Sequence, residues 1–448
     1  MYSEEIVKKL VGKNIAILGF GKEGKSTYNF IRKHLPDISL TVLDKAAITI
    51  DDDKVTIISG DDYLNNLEKY DLIIKSPGIS LKDIDYSKIQ DKITSQLELL
   101  LEVNRKNIIG ITGTKGKSTT TSLMYEVLKA QRDNVFLLGN IGIPVFDMID
   151  EYNDKSLLVI EMSSHQLEFV KNSPHIAVIL NLFQDHLDHD GSLEHYHNNK
   201  MNIFKYQTAD DYAIYADDNE YLNAKMKILN TAATKFNVRF DDENIFGNAV
   251  RIKKDKVFIN DELVYTDGER NLIGNHNLKN IMFVLTICKI LGLDFEKARE
   301  TILSFKGLKY RMEYLGTYHN IKYYNDTIAT IPAATENAIE AIGDVDTLIF
   351  GGLDRGIDYK EFIEFLKNSN INNLICMPST GTNIGHLLEE CTTKNIKYVQ
   401  TLKEANAMAL KYTTSGKSCL LSPAAASYEY FKNFEEKGKA FEEIVKDN

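Results

Sequence analysis

The sequence lacks the features that mark secreted proteins and membrane proteins. It has no tryptophan, and its four cysteines are scattered without a CxxC pair: Cys288, Cys376, Cys391 and Cys419. This usage favours a reduced chain over a disulfide framework. No apolar run reaches the roughly 20 residues that span a bilayer, and charged residues interrupt the first apolar run, unlike in a signal peptide. We therefore expect a cytoplasmic protein with no membrane partner.

Positive charge is also scarce. The 64 acidic residues outnumber the 53 Lys and Arg, the formal net charge is -11, and no long basic tract occurs. This balance argues against a nucleic-acid partner, although it leaves enough cations for local anion sites. The length of 448 residues and the apolar content of 43% are typical of a soluble protein with several domains. We expect it to be a monomer.

One local pattern, an apolar run followed by a Gly-rich turn and a helical pattern, occurs three times. The copies are Asn14–Ile31, Asn107–Leu128 and, more weakly, Asp346–Leu366. Short apolar runs bounded by glycine predict buried parallel strands, and the helical spacing after each run predicts βα units. We therefore predict an α/β protein of three domains, with boundaries near residues 105 and 307.

The three predicted domains differ in kind. Residues 1–105 and 308–448 are each predicted to be Rossmann-like. Residues 106–307 are predicted to hold a parallel sheet with a P-loop. The stretch Ala216–Asn271 alternates, carries many charges and is rich in turns. It is expected to add a few antiparallel strands to the central domain.

The first Gly-rich turn predicts a pyrophosphate site. Gly19, Gly21 and Gly24 follow the apolar run Ile15–Leu18 and open a helix, and Asp44 ends the next apolar run. Such glycines let the backbone approach pyrophosphate at a helix N-terminus. The spacing fits an NAD cofactor or a nucleotide-sugar, and a tight turn without a ligand is the plainer alternative.

The second turn predicts a site for nucleotide phosphates. A strict Walker A motif has glycine where this chain has Ile111, but the ending of the motif is intact: Gly113-Thr114-Lys115-Gly116-Lys117-Ser118-Thr119. By spacing, Lys117 is the lysine that reaches the β/γ-phosphates and Ser118 is the Mg²⁺ hydroxyl. Lys115 lies at the apex of the loop and is expected to be solvated.

Polar side chains follow two later strand patterns. Glu161 ends an apolar run, where an acid costs burial energy unless it meets a cation, so we predict that it binds a metal. Two histidines and three acids crowd the stretch 185–190, with His186 as the candidate ligand. These residues alone leave Zn²⁺ or Mn²⁺ open. In the helical pattern that follows, His195 and His197 are both expected on the solvated face.

In their order along essentially the whole chain, these motifs resemble the Mur ligases of peptidoglycan precursor synthesis. Within that family, five segments are most similar to ligases that add glutamate: Ser76–Gly78, Gly139–Gly142, Glu161–Glu168, Asp185–Asp188 and Leu420–Gly438. The resemblance implies an ADP-forming amide ligase that works through an acyl phosphate. It implies ATP, UDP-N-acetylmuramoyl-L-alanine and D-glutamate as substrates, and a role in cell-wall biogenesis, cell shape and division.

The resemblance also implies a role for individual residues. The UDP-sugar would be bound by Gly19, Gly21, Asp44, Lys45, Ser76, Asn140 and Ser163. ATP would be bound by Gly113–Thr119, Asn277, Asn280, Arg311 and Asp326. Two Mg²⁺ ions would be held by Ser118, Glu161, His186 and Lys200, with Lys200 carried as a carbamate. Lys117, His186 and Lys200 would be the catalytic residues. The incoming amino acid would be surrounded by Thr330, Arg355, Ser427 and Phe434.

Two positions depart from the family pattern near the amino-acid site. Ile328 stands where the family has lysine, and Arg355 stands where it has a glutamate-binding lysine. Arg binds a carboxylate with a planar fork, whereas Lys acts as a point charge, so the exchange changes the geometry. The alternatives are therefore a ligase that adds L-glutamate or a Mur-like ligase for another amino acid. An NAD-dependent oxidoreductase or a binding scaffold would leave the second turn or the predicted metal ligands unexplained.

Overall fold

A computed structural model describes residues 2–183, 192–241, 247–272, 274–389, 392–427 and 431–447. Its contacts divide the chain into two compact units. The first unit is Met1–Gly268 with His276–Ile302, and the second unit is Glu269–Asn275 with Leu303–Asn448. The first unit contains two β-sheets and the second contains one. The three predicted α/β domains are confirmed, and their boundaries at residues 105 and 307 remain predictions.

The N-terminal sheet is entirely parallel. Its strands are β1 (Ile15–Leu18), β2 (Leu40–Asp44), β3 (Val55–Ser59), β4 (Leu72–Lys75) and β5 (Ile93–Thr94), in the order β3-β2-β1-β4-β5. The helices of this region are α1 (Tyr2–Leu10), α2 (Lys22–His34) and α3 (Gln96–Asn104). β1 and β4 are buried along their whole length, as the unbroken apolar runs of the sequence predict.

The central sheet has nine strands in the order β14-β13-β12-β11-β10-β9-β6-β8-β7. They are β6 (Ile108–Thr112), β7 (Val135–Gly139), β8 (Leu157–Glu161), β9 (Ile176–Ile179), β10 (Tyr212–Ala216), β11 (Thr234–Arg239), β12 (Asn248–Lys253), β13 (Lys256–Ile259) and β14 (Glu262–Thr266). Strands β6 to β12 pair in parallel. β13 and β14 add the antiparallel edge that the charged stretch predicts.

Six helices accompany the central sheet in the described part of the first unit. They are α4 (Lys117–Lys129), α5 (Ser164–Leu167), α6 (Leu193–Lys205), α7 (Glu220–Ile228), α8 (Asn275–Leu291) and α9 (Phe295–Ser304). α8 is apolar and buried on nearly every side from Asn277 to Cys288, as expected of a helix inside a large domain. α4 begins directly at the second Gly-rich turn, so the predicted strand–loop–helix unit is present.

The second unit contains a six-stranded sheet in the order β15-β16-β20-β17-β18-β19. The strands are β15 (Glu313–Tyr318), β16 (Ile321–Asn325), β17 (Val345–Gly352), β18 (Asn373–Ser379), β19 (Asn395–Tyr398) and β20 (Ser418–Leu421). The helices are α10 (Pro332–Ile342), α11 (Lys360–Asn368), α12 (Thr380–Glu389), α13 (Leu402–Tyr412) and α14 (Phe434–Lys446). All strand pairs are parallel except β15 with β16. Apolar clusters cover both faces of this sheet.

Among the described residues, no helix is long and apolar enough to cross a membrane.

Candidate active site

Each of the three sheets has a point at which its strand order reverses. The reversals lie between β1 and β4, between β6 and β9, and between β17 and β20. In open α/β sheets, ligands bind beyond the carboxyl ends of the strands at such a point. Most of the residues singled out in the sequence follow these strand ends, so each reversal is a candidate binding position.

At the first reversal, the turn after β1 lies against the turn after β4. The Ser76 hydroxyl donates to the Gly19 carbonyl at 2.9 Å, and the Ser76 amide donates to the Leu18 carbonyl at 2.8 Å. A Cβ on Gly24 would lie 2.0 Å from the Gly19 carbonyl oxygen, so only glycine permits this close approach. The predicted pyrophosphate turn is therefore a tightly packed strand-to-helix turn.

Asp44 fixes this turn from the end of β2. One carboxylate oxygen accepts from the Phe20 amide at 2.6 Å and the other accepts from the Ala46 amide at 2.8 Å. Lys45 beside it is exposed. The carboxylate thus holds the backbone of the Gly-rich turn, and a role of Asp44 and Lys45 at a nucleotide base stays a prediction.

At the second reversal, the predicted phosphate loop joins β6 to α4. Gly116 has φ of 86°, in the left-handed region, and it precedes the first residue of the helix. Lys117 folds back over the loop, and its ammonium donates to the carbonyls of Gly113 at 2.8 Å and Thr114 at 2.9 Å. Lys115 is exposed, as expected from its apex position. Lys117 is therefore the lysine that belongs to the loop.

Asn181, which follows β9, holds the apex of the loop in place. Its Oδ1 accepts from the amides of Thr114 at 3.1 Å and Lys115 at 2.8 Å, and its Nδ2 donates to the Lys115 carbonyl at 3.0 Å. Its own carbonyl also accepts from the Thr114 amide at 3.0 Å. We did not identify Asn181 from the sequence, because only the pairing of β6 with β9 brings it to the loop.

The predicted amide pair on α8 lies beside the same loop. Asn280 Nδ2 donates to Asn277 Oδ1 at 3.2 Å, and both side chains are buried. A Cβ on Gly116 would lie 2.8 Å from Asn280 Oδ1. Asn280 therefore packs directly on the left-handed turn of the loop. Contact of the pair with ATP stays a prediction.

Glu161 has the surroundings expected of a cation ligand. Its side chain is 1% exposed, and its neighbour in β6 is Ile111, one residue before Thr112. Oε1 accepts from Asn140 Nδ2 at 2.7 Å, whereas Oε2 is buried without a hydrogen-bond partner among the described residues. A buried carboxylate oxygen without a donor is costly, and a divalent cation would satisfy it.

α6 brings Lys200 to the same strand end. Lys200 is 1% exposed, its ammonium lies 3.5 Å from Thr112 Oγ1, and it sits 4.7 Å from the centre of the Tyr196 ring. One turn earlier, the Tyr196 hydroxyl donates to Thr114 Oγ1 at 3.1 Å. The helix thus contacts the phosphate loop at Thr114 and the end of β6 at Thr112. His186, the other predicted ligand, lies outside the described residues.

The prediction that His195 and His197 share a solvated face is wrong for His197. His197 is buried, and its Nε2 lies 3.3 Å from the Phe183 carbonyl. Residues two apart on a helix point about 200° apart, so they cannot share a face. His197 instead shares the buried face with Lys200, three residues later. Burial lowers its pKa and favours the neutral imidazole.

Ser163 caps α5 and links the central sheet to the N-terminal one within the first unit. Its hydroxyl accepts from the Gln166 amide, and Gln166 Oε1 accepts from the Ser163 amide at 3.0 Å, which forms a capping box. Gln166 Nε2 then donates to Glu23 Oε1 of α2 at 2.6 Å. Burial raises the pKa of Glu23, although the bond to Gln166 acts in the opposite direction.

The second unit contains the remaining predicted residues. Asp326, which follows β16, is buried and accepts from the Ser422 hydroxyl at 2.8 Å and the Met312 amide at 3.1 Å. Burial raises its pKa to about 7, and the charge of Arg311 opposes that shift. A perturbed buried carboxylate at a strand end is typical of a functional site. The ATP contacts predicted for Asp326 and Arg311 stay predictions.

The residues predicted around the incoming amino acid differ in their surroundings. Arg355 is exposed and makes no hydrogen bond or ion pair with any described residue. Ser427 is buried, and its hydroxyl has no hydrogen-bond partner in the described parts of the chain. Phe434 opens α14 and packs edge-on against Tyr310. Thr330 is half-buried after β16. Among the described residues, no hydrogen bond, ion pair or ring contact joins any two of these four side chains.

Within the first unit, one strand edge collects most of the predicted phosphate and metal chemistry. The phosphate loop, Asn280, Thr112, Lys200 and Glu161 all lie at the carboxyl ends of β6 and β8. Across the described ranges, no cluster of three or more His, Cys, Asp or Glu side chains could hold a metal. The predicted ligands include only two side chains of those kinds, Glu161 and His186. Mg²⁺ usually takes most of its oxygen ligands from water and substrate phosphates, so few protein carboxylates are needed.

Comparison with known proteins finds Mur ligase domains and Mur ligase relatives, in agreement with the resemblance seen in the sequence motifs. Residues 111–288 match the family model for the Mur ligase middle domain, and residues 310–425 match that for the Mur ligase glutamate ligase domain. The UDP-N-acetylmuramoylalanine–D-glutamate ligase of Bacillus cereus (strain Q1) is 33% identical over 450 residues, which are 98% of each chain. The ligase of the same name from Bacillus thuringiensis (strain Al Hakam) is 33% identical over 455 residues, with the same coverage.

Solved structures show the same fold. The UDP-N-acetylmuramate-alanine ligase of Thermotoga maritima has a TM-score of 0.57 at 19% identity and covers 97% of this chain and 99% of its own. The MurF ligase of Thermotoga maritima, determined in complex with ADP, has a TM-score of 0.56 at 17% identity. The match covers 97% of this chain and 95% of the MurF chain. At these identities the likeness establishes the fold alone.

Proposed function

Because the chain belongs to the Mur ligase family, we propose that it is an ATP-dependent ligase that adds D-glutamate to UDP-N-acetylmuramoyl-L-alanine. The observation that carries this proposal is similarity at 33% identity over 98% of the chain to relatives named for that reaction. We propose that it works in the cytoplasm, as a monomer, in peptidoglycan precursor synthesis and cell division.

The first chemical step joins two anions. The carboxylate of the UDP-sugar attacks the γ-phosphorus of ATP, the bond to the bridging oxygen breaks, and ADP leaves an acyl phosphate. Lys117 would turn from the loop carbonyls to the phosphates, where its charge offsets the repulsion. The amides of Gly113 to Thr119 would hold the phosphates in line for attack. Asn181 keeps this loop in one shape, so little reorganisation is needed.

Magnesium fits the residues at the ends of β6 and β8. The unpartnered Oε2 of Glu161 and the hydroxyl of Ser118 would hold one ion, and His186 and Lys200 would hold a second. Bound Mg²⁺ would neutralise charge on the transferring phosphoryl group. Mg²⁺ prefers oxygen ligands, so we propose that Lys200 is carbamylated, which turns its amine into a carboxylate-like oxygen ligand.

In the second step the amine of glutamate attacks the acyl carbonyl, an amide forms and phosphate leaves. The amine must be neutral when it attacks, so a base must accept its proton. A metal-bound His186 is a poor base, and we therefore assign it to the metal. In the second unit, Arg355 is an exposed cation that is suited to a carboxylate of the amino acid.

The alternatives are less well supported. An L-glutamate-adding ligase would explain the exchanges at Ile328 and Arg355, but the relatives that match the whole chain are named for D-glutamate. The same exchanges would fit a ligase for another amino acid, and the same relatives argue against it. Phosphate release distinguishes these reactions from NAD-dependent oxidation, which consumes no ATP.

The test is a phosphate-release assay in which each component is omitted in turn. We expect release only when UDP-N-acetylmuramoyl-L-alanine, ATP, Mg²⁺ and glutamate are all present. Lys117→Met should lower the rate by at least about 1,000-fold, as loss of a preorganised charge at a phosphoryl group does. Lys115→Met, at the exposed apex, is the matched control. Release that does not depend on the UDP-sugar, or that survives in Lys117→Met, would overturn the proposal.

A further inference from the structure

The second unit contains a buried lysine that none of the steps above uses. Lys437 lies in the first turn of α14 and is 2% exposed. Its ammonium donates to the backbone carbonyl of Gly351 at 3.0 Å. Among the described residues, this is the one hydrogen bond that the Lys437 side chain makes. An ammonium has three donors, so two have no acceptor among the described residues. A buried charge with so few partners is costly unless an anion joins it.

A second polar group nearby is also unpartnered. The hydroxyl of Ser427, which is 4% exposed, has no hydrogen-bond partner among the described residues. The preceding residue, Ala426, accepts at its carbonyl from the Leu353 amide at 2.9 Å, two residues after Gly351. Lys437 and Ser427 are therefore both anchored to the short segment that ends β17.

This segment is the reversal point of the third sheet. In the sheet, β17 has β18, the next strand in the chain, on one side. On its other side it has β20, the last strand in the chain. The turn after β20 is held there, because the Gly351 amide donates to the Pro423 carbonyl at 2.9 Å. Carboxyl ends of parallel strands at a reversal are where open α/β sheets bind ligands. Two buried polar side chains without full partners thus coincide with a ligand-binding position.

The chemistry of the proposed reaction indicates which anion fits. The proposed function assigns the ATP phosphates to the phosphate loop and the UDP-sugar to the N-terminal sheet. The carboxylate of the UDP-sugar must meet the γ-phosphate in the first step, so glutamate is the anion that still lacks a binding site, and its two carboxylates favour two cations. Arg355, four residues after Gly351, is one exposed cation. Lys437 can supply the second charge, and Ser427 can supply a neutral donor.

We propose that Lys437 binds one carboxylate of the incoming glutamate, together with the hydroxyl of Ser427. This assignment rests on the proposed function and adds a substrate-binding residue to it. The ammonium would exchange its unmet donors for a charge-assisted hydrogen bond to the carboxylate. Burial lowers the pKa of Lys437 to about 8, which leaves most of the side chain charged at neutral pH.

The test compares Lys437→Met with wild type in the full chain. Methionine keeps an unbranched apolar stem and removes the charge. We expect the KM for glutamate to rise at least tenfold, while the KM values for ATP and the UDP-sugar stay within twofold. The melting temperature should not fall, since an unpaired buried charge is removed. Lys439→Met is the control, because Lys439 lies on the same helix with its side chain 70% exposed.

Three outcomes would overturn the inference. One is an unchanged KM for glutamate in Lys437→Met. Another is a parallel rise of all three KM values. The third is a loss of stability that accompanies the loss of activity, which would make Lys437 a structural support of Gly351. A wild-type enzyme that does not turn over glutamate would instead sink the proposed function, so the two failures are distinguishable.

Discussion

Single residues at the candidate site are held in environments that cost stability. In the described part of the chain, Glu161 has a buried oxygen without a donor and Lys437 has a buried ammonium with one acceptor. Burial raises the pKa of the Asp326 carboxyl to about 7. Burial of polar groups without full partners is unfavourable, and it is retained where a ligand completes the set. Glu161 and Asp326 lie at strand ends, and Lys437 of α14 contacts the end of β17 at Gly351. The substrates of the proposed reaction would supply the missing partners there.

The buried charge of Lys437 predicts a specific dependence of stability on pH. Burial alone lowers its folded pKa to about 8, below the ordinary value of 10.5. Between these values the unfolded chain binds more protons, so the free energy of unfolding contributed by Lys437 rises with pH. We expect Lys437→Met to be at least as stable as wild type at pH 7.5, and this advantage to shrink towards pH 10. A difference in melting temperature that is constant over this range would contradict the prediction.

Lys200 allows a direct test of the proposed carbamate. Lys200→Ala should be inactive, because the second ion loses an oxygen ligand, and acetate should restore part of the activity. In the wild type, ¹³C-bicarbonate should give a carbamate resonance that Lys200→Ala lacks. Lys205→Ala, on the last turn of the same helix, is the control for helix perturbation. Absence of the resonance from active wild-type enzyme would contradict the carbamate.

At the scale of elements, the phosphate loop depends on a strand that is distant in sequence. β9 delivers Asn181, which makes three side-chain hydrogen bonds to Thr114 and Lys115. From α6, Tyr196 contacts Thr114 of the loop and Lys200 contacts Thr112 at the end of β6. The loop is therefore held from two elements besides its own strand and helix, and its shape is set by the fold of the whole central sheet.

Removal of the Asn181 clamp should weaken ATP binding selectively. Asn181→Ala removes both side-chain hydrogen bonds to the Lys115 backbone, at a cost of about 0.5–1.5 kcal/mol for each bond, whereas the Thr114 amide keeps the backbone carbonyl of residue 181 as its acceptor. We expect the KM for ATP to rise by about tenfold, which corresponds to about 1.4 kcal/mol. The KM for the UDP-sugar should stay within twofold. Asn198→Ala, an exposed position on α6, is the control, and an unchanged KM for ATP would show that the clamp is not needed.

The sequence predicts features that depend on neighbouring residues, such as turns and strand ends. It does not predict contacts between residues that are far apart in the chain. The turn after β1, the loop before α4 and Glu161 at the end of β8 were identified, because apolar runs and glycines mark strand ends directly. Asn181 was missed, because its role depends on which strands are neighbours. Lys437 was missed for a similar reason: a charged residue in an amphipathic helix is ordinarily solvated, and here the fold buries it. The placement of His197 was wrong because helical periodicity was not applied.

At the scale of the whole molecule, the residues predicted for the UDP-sugar and those predicted for the amino acid divide between the two units, whereas the residues predicted for ATP lie in both. The residues predicted for the UDP-sugar, from Gly19 to Ser163, all lie in the first unit. Those predicted for the amino acid, from Thr330 to Phe434, all lie in the second unit. Each unit has its own sheets and core, so substitutions in one unit should leave the ligand assigned to the other largely unaffected.

Arg355 tests this division. Arg355→Met should raise the KM for glutamate at least tenfold, because a charge-assisted contact with a carboxylate is lost. The Kd for UDP-N-acetylmuramoyl-L-alanine, measured by calorimetry, should stay within twofold of wild type. Lys360→Met is the control, since Lys360 is exposed on the neighbouring helix. A comparable loss of affinity for the UDP-sugar would contradict the division of tasks.

The central claim is that this chain joins D-glutamate to the UDP-sugar. The most direct measurement incubates the wild-type protein with UDP-N-acetylmuramoyl-L-alanine, ATP and Mg²⁺, with either D- or L-glutamate, and identifies the product by mass spectrometry. We expect a product heavier by one glutamyl residue, formed with D-glutamate together with one phosphate and one ADP. Product with L-glutamate alone, or with neither enantiomer, would contradict it.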